Sequence, residues 1–189
     1  MAIADDVVAL LRSPAVQRIN FAAEAVKING HVYNNLAKKI ESGQLHVTVD
    51  PSALEAGSDG QYDPGTNTLT LPSNTFPTPY SKQVVVHELT HAAIDDMHLP
   101  DRRGLHKTEG EGISFIAEHL YVRFVHGAPP GPNEHRIYRV ADAIAKNVEA
   151  AGAHLYTVPP AEIQKLRNAI GQHSLYRSRR GHLVKSDGI

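Results

Sequence analysis

Apolar and small residues recur at Val16, Ile19, Ala23, Val26, Gly30, Tyr33, Ala37 and Ile40. Steps of three and four predict one face of a long helix. Ser13-Pro14 offers a capping hydroxyl and a first-turn proline at its start, and Gly43 ends it. Gly30 falls on the apolar stripe, where it marks either a break or the close approach of another element. Leu45, Val47 and Val49 alternate with polar residues, as a half-buried strand does. A turn-rich stretch with Gly57, Gly60, Pro64 and Gly65 follows. Residues 66–71 then read as a strand with Leu69 and Leu71 on one face, closed by Pro72.

Thr78-Pro79 opens a second helix that runs to about Leu99, before Pro100. Residues 101–107 read as a connecting loop, and 109–125 as a further helix that the Gly/Pro run 127–132 breaks. Asn133 is the expected cap of a helix carrying Ile137, Val140, Ile144 and Val148 along one side, stopped by Gly152. The last helix begins at Pro159-Pro160 and carries Ile163, Leu166 and Ile170 before Gly171. The whole predicts a helix-rich α+β fold, with a small sheet placed before the 78–99 helix.

That helix holds the chemistry. His87 and His91 lie four residues apart, so their imidazoles stand one turn apart on one face and can grip one metal ion. Glu88 follows the first of them, about 100° round the helix, where it reaches a water on the metal rather than the metal. Zinc lowers the pKa of such a water, and a carboxylate beside it can take the proton and later pass it to a leaving amine. Three fixed positions match by chance about once in several thousand windows at ordinary residue frequencies. The surrounding Val84-Val85-Val86 and Ala92-Ala93-Ile94 suit a helix buried on its other faces; the rival is a solvated polar face with two histidines. A catalytic zinc needs three protein ligands and an open position, and without cysteine the third must be His, Asp or Glu.

The string His87-Glu88-Leu89-Thr90-His91, followed by Glu111-Gly112-Ile113-Ser114, resembles the gluzincin zinc peptidases, of which thermolysin is the best known. The resemblance covers residues 84–118. It implies a zincin-like fold, one zinc held by His87, His91 and Glu111, Glu88 as general base, and a peptide or protein substrate. It also implies a small sheet with one edge strand along the cleft. Residues 66–71 are the candidate for that edge, and an ordinary hairpin strand is the even alternative. Extended peptides bind such edges by adding a strand.

Two features depart from the family pattern. The stretch after residue 132 is short for a lobe carrying an oxyanion-stabilising His or Tyr, and His135, Tyr138, His154 and Tyr156 all remain candidates. Phe115 stands where the family has a carboxylate that buttresses a zinc histidine; Asp95 and Glu118 are candidates for that role. Glu111 has a rival reading too. Thr108-Glu109-Gly110-Glu111 fits a capping box, in which the carboxylate would bond back to the Thr108 amide.

Composition narrows the rest. With 189 residues, 41% hydrophobic, the chain predicts one domain over 1–189, with about 177–189 as a flexible tail. A net charge of −1 and a single short basic run at 177–180 argue against a nucleic-acid partner. Cysteine is absent, which excludes disulfides and Cys-based zinc sites. Residues 1–11 lack a basic region and a long apolar run, so a cytoplasmic protein, or one exported without a classical signal peptide, is expected. No membrane span is expected, and nothing indicates the oligomeric state. Two rival functions stay open: a non-catalytic helical binding module on the same scaffold, and a zinc hydrolase or toxin domain with one narrow substrate.

Overall fold

The computed structural model describes residues 3–55, 58–76, 78–97, 107–127 and 135–173. In chain order its elements are α1 (Ile3–Leu11), α2 (Pro14–Gln17), β1 (Asn20–Ala23), β2 (Val26–Asn29), α3 (Gly30–Ser42), β3 (His46–Val49), β4 (Gln61–Asp63) and β5 (Thr68–Leu71), followed by α4 (Pro79–Asp96), α5 (Lys107–His126), α6 (Arg136–Ala150), β6 (Tyr156–Thr157) and α7 (Pro160–Gln172). This is a helix-rich α+β fold with two three-stranded sheets, ordered β2-β1-β6 and β3-β5-β4. The expected Asn133 cap and the tail at 177–189 lie outside the described residues.

The long helix expected from Ser13 to Gly43 is in fact α2, a β-hairpin and α3. Its apolar positions are all buried, but Phe21 and Ile28 are buried too, beside Ala23 and Val26. Those positions alternate with period two, and the turn between the strands places Glu24 at φ 52°. A three-four spacing and an alternating one coincide over such short strands, so the periodicity alone selects the wrong element. Gly30 instead opens α3 against α2: an added Cβ would lie 2.7 Å from the Gln17 carbonyl oxygen. Asn29 accepts the Val32 N–H as the α3 cap, and Gly43 closes α3 at φ 74°.

Residues 68–71 form the middle strand of the second sheet rather than its edge. β5 runs parallel to β3 and antiparallel to β4. The edge that lies against α4 is β4, within the stretch that reads as turns, because Gln61-Tyr62-Asp63 is polar at both ends and too short to show alternation. β4 packs on α4. Gly60 makes that approach possible, since a Cβ there would come within 2.9 Å of Val84 Cγ1.

Helices α4 and α5 are the centre of the molecule. Residues 110–122 of α5 are all buried, flanked by α4, α6 and α7. Gly112 lets α7 close in, with Leu166 Cδ2 3.3 Å from where a Cβ would stand. Thr78 caps α4 by accepting the Ser81 N–H. Behind α4, the buried Tyr33 and Thr90 hydroxyls share a 2.7 Å hydrogen bond that ties it to α3. Among the described residues no helix is long and apolar enough to cross a membrane.

Candidate metal centre

The packing of α4 on α5 brings His87, His91 and Glu111 together as a buried group that could hold a metal ion. His87 Nε2 and His91 Nε2 stand 3.3 Å apart. Glu111 Oε2 lies 3.4 Å from the first and 3.6 Å from the second. Three donor atoms thus form a nearly equilateral triangle. A tetrahedral ion with ligand distances of about 2.0–2.1 Å requires edges of about 3.3–3.4 Å, so the triangle has the size of one face of such a tetrahedron.

Protonation fits the same use. His87 Nδ1 lies 2.8 Å from Glu118 Oε2 and donates to it, so Nε2 is the nitrogen left facing His91 and Glu111 and the one whose proton a metal ion would replace. Gln83 donates to the other Glu118 oxygen. Gln83, His87 and His91 follow one another at single turns of α4, and Glu118 closes on the first two from α5. Lone pairs converging at these separations repel unless a proton or a cation lies among them.

Burial and charge act against each other here. Burial pushes the Glu111 carboxyl up, but the His91 and His87 imidazoles outweigh it and hold it well below the usual carboxylate range. Burial pushes His87 down, and its bonds to Glu111 and Glu118 more than reverse this, leaving it raised. Two carboxylates almost fully removed from water, Glu111 and Glu118, are costly without compensating positive charge. A divalent cation at the triangle would supply it.

Glu88 sits on the adjoining face of α4, half-buried, and its Oε2 accepts the Tyr62 backbone N–H at 2.9 Å. The capping-box reading of Glu111 fails. Thr108 lies inside α5, which is already helical at Lys107, and Glu111 turns to the histidines instead. Of the two carboxylates considered as buttresses, Glu118 takes the role at His87, whereas Asp95 accepts the Tyr62 hydroxyl at 2.9 Å.

Phe115 packs edge-on against His87, with ring centroids 4.7 Å apart. Tyr138 packs against Phe115 at 5.7 Å and His135 against Tyr138 at 6.0 Å, so α6 brings these two toward the centre. Tyr156 is drawn away into the other sheet, paired with Phe21, and His154 is exposed in the turn before it. Two contributors escape sequence reading. Gln83 had a signal, standing one turn before His87. Tyr62 had none, because its part is played by a backbone amide whose direction depends on β4.

Comparison with family models, curated proteins and solved structures returns no match.

Proposed function

We propose that the chain is a gluzincin-type zinc peptidase in which His87, His91 and Glu111 hold one zinc per chain and Glu88 is the base. The observation that carries this reading is the triangle of donor atoms, 3.3, 3.4 and 3.6 Å on its sides, with Glu88 on the neighbouring helix face. Bound zinc would supply Lewis acidity, bringing a water toward ionisation near neutral pH and polarising a carbonyl. Glu88 would take one proton from the attacking water as its oxygen bonds to the peptide carbon. The same carboxyl would return that proton to the departing nitrogen as the C–N bond breaks, leaving a carboxylic acid and an amine. Glu118 and Gln83 would keep the His87 ring in its Nδ1–H form throughout.

A narrow substrate range is favoured by the shortness of the edge. β4 has three residues, and the Tyr62 N–H is already engaged by Glu88. Main-chain docking can therefore contribute little, and selection falls to side chains.

The test is elemental analysis of protein purified without affinity metals, followed by turnover of a quenched-fluorescent peptide mixture. One zinc per chain is expected. Glu88→Gln should keep that zinc and lose about 10²–10⁴-fold in turnover. Loss of zinc in this variant, or undiminished cleavage, would overturn the assignment. Retained biological activity in Glu88→Gln would favour the binding-module alternative.

A further inference from the structure

We propose that Tyr62 is the positioning residue for Glu88, so that the edge strand β4, and not helix α4 alone, sets where the base carboxylate sits. This inference rests on the peptidase reading above.

Tyr62 holds α4 twice. Its backbone N–H donates to Glu88 Oε2 at 2.9 Å, and its hydroxyl donates to Asp95 Oδ2, also at 2.9 Å. Glu88 and Asp95 are two turns apart along one side of α4. Residues of an antiparallel edge strand alternate between those whose amides face the partner strand and those whose amides face away. Tyr62 stands opposite Leu69 and aims its N–H away from β5, at Glu88. Tyr62 is 8% exposed, so the ring is packed, and its hydroxyl reaches Asp95 Oδ2 at 2.9 Å with Asn67 Oδ1 as a longer second acceptor at 3.2 Å.

The residues leading into β4 are pinned to the same side of α4. Tyr80 Oη donates to Asp59 Oδ2 at 2.9 Å, and Gly60 lies against Val84. Contacts at 80, 84, 88 and 95 thus run along one stripe of the helix, beside the stripe that carries Gln83, His87 and His91. A glutamate on a helix has three rotatable bonds and on its own samples many rotamers. One carboxylate oxygen fixed by a strand amide leaves the other to face the reacting water. Because a general base works only within hydrogen-bond reach of its proton, displacement of this amide reduces turnover without touching the metal ligands.

The experiment compares wild type, Tyr62→Phe, Asp95→Ala and Asp95→Asn, each loaded with zinc and assayed well below its unfolding midpoint. Tyr62→Phe keeps the backbone N–H and the ring but removes the phenol anchor. It should speed hydrogen exchange of the residue-62 amide at least threefold, as read by NMR. It should also lower kcat on the quenched-fluorescent peptides about 5–50-fold, with KM within twofold and zinc affinity unchanged. Asp95→Ala, which leaves Asn67 Oδ1 as the remaining acceptor, should lower kcat by no more than Tyr62→Phe does. Combining it with Tyr62→Phe should be no worse than Tyr62→Phe alone, and Asp95→Asn, which keeps an acceptor oxygen, should restore most of kcat. Unchanged residue-62 exchange in Tyr62→Phe overturns the proposal. So does unchanged kcat, or a fall in kcat that tracks lost zinc. If the zinc-loaded wild type cleaves none of the peptides, the general peptidase reading fails in favour of a zinc hydrolase with one narrow substrate, while the exchange measurement still decides whether Tyr62 holds Glu88.

Discussion

The imidazole of His87 and the carboxylate of Glu118 meet at 2.8 Å in a fully buried hydrogen bond between α4 and α5. It fixes which ring nitrogen faces Glu118 and which faces His91 and Glu111. Partners of this kind are typically worth about 10–100-fold in metal affinity. Glu118→Ala should lower zinc affinity by that factor, measured by competition with a fluorescent chelator. An affinity equal to wild type would mean the ring is oriented by packing against Phe115 alone.

Glu111 and Thr108, three residues apart in α5, give a test of the ligand role of Glu111 with a control beside it. Glu111→Gln should lose zinc affinity by a large factor. Thr108→Ala should leave zinc in place and cost stability only through its buried methyl and hydroxyl, about 1 kcal/mol. Equal destabilisation in both with zinc retained would sink the ligand role of Glu111.

Metal binding should appear as folding stability. A ligand that binds only the native chain at about 100 times its Kd adds about 2.7 kcal/mol. Chelation should accordingly lower the melting temperature and zinc should restore it. His87→Ala should melt without responding to either. A variant that still responds would place the metal elsewhere among the histidines.

His119 provides a prediction in pH. It is 3% exposed, and among the described residues neither ring nitrogen has a hydrogen-bond partner; Asp142 Oδ1 is 3.9 Å from Nδ1. Burial pushes its pKa below the ordinary histidine value. The unfolded chain, with an imidazole near about 6.5, therefore takes up a proton first as pH falls. The stability tied to a neutral His119 is whole above that pH and declines as pH drops through the lower folded-state value. Denaturant unfolding between about pH 7 and 5 should show a steeper fall for wild type than for His119→Phe. Parallel curves would show that His119 does not titrate differently on folding.

The site was more legible than the fold around it. His87, Glu88 and His91 are local, one turn of one helix, so spacing alone places them on neighbouring faces. Glu111 needed a resemblance, because its distance from His91 depends on how two helices pack. Gln83 was readable in principle by the same one-turn rule. Ala23 and Val26 were legible as core but not as strand residues, and Phe21 and Ile28 fell outside the helical stripe, since what separates hairpin from helix is a turn at Glu24 with positive φ. Tyr62 was not readable at all: a main-chain amide has no letter in the sequence, and only the partner strand decides which way it points.

The pairing of β1 with β6 has a bearing on the order in which the chain assembles. Phe21 meets Tyr156 at a sequence separation of 135, and the Val158 N–H reaches back to the Ala22 carbonyl at 2.8 Å. Bringing Glu111 to His87 closes a span of 24. Loop-closure entropy grows as the logarithm of length, so the longer closure costs about 1.5 kcal/mol more. It recovers only a two-residue ladder. The helix pair that carries His87, His91 and Glu111 is therefore the early, inexpensive contact, and the clasp of β1 on β6 is the late one. A nascent chain can thus assemble this group while the strand that will bolt the fold shut is still unfolded, and a metal ion bound there would guide folding rather than await its completion.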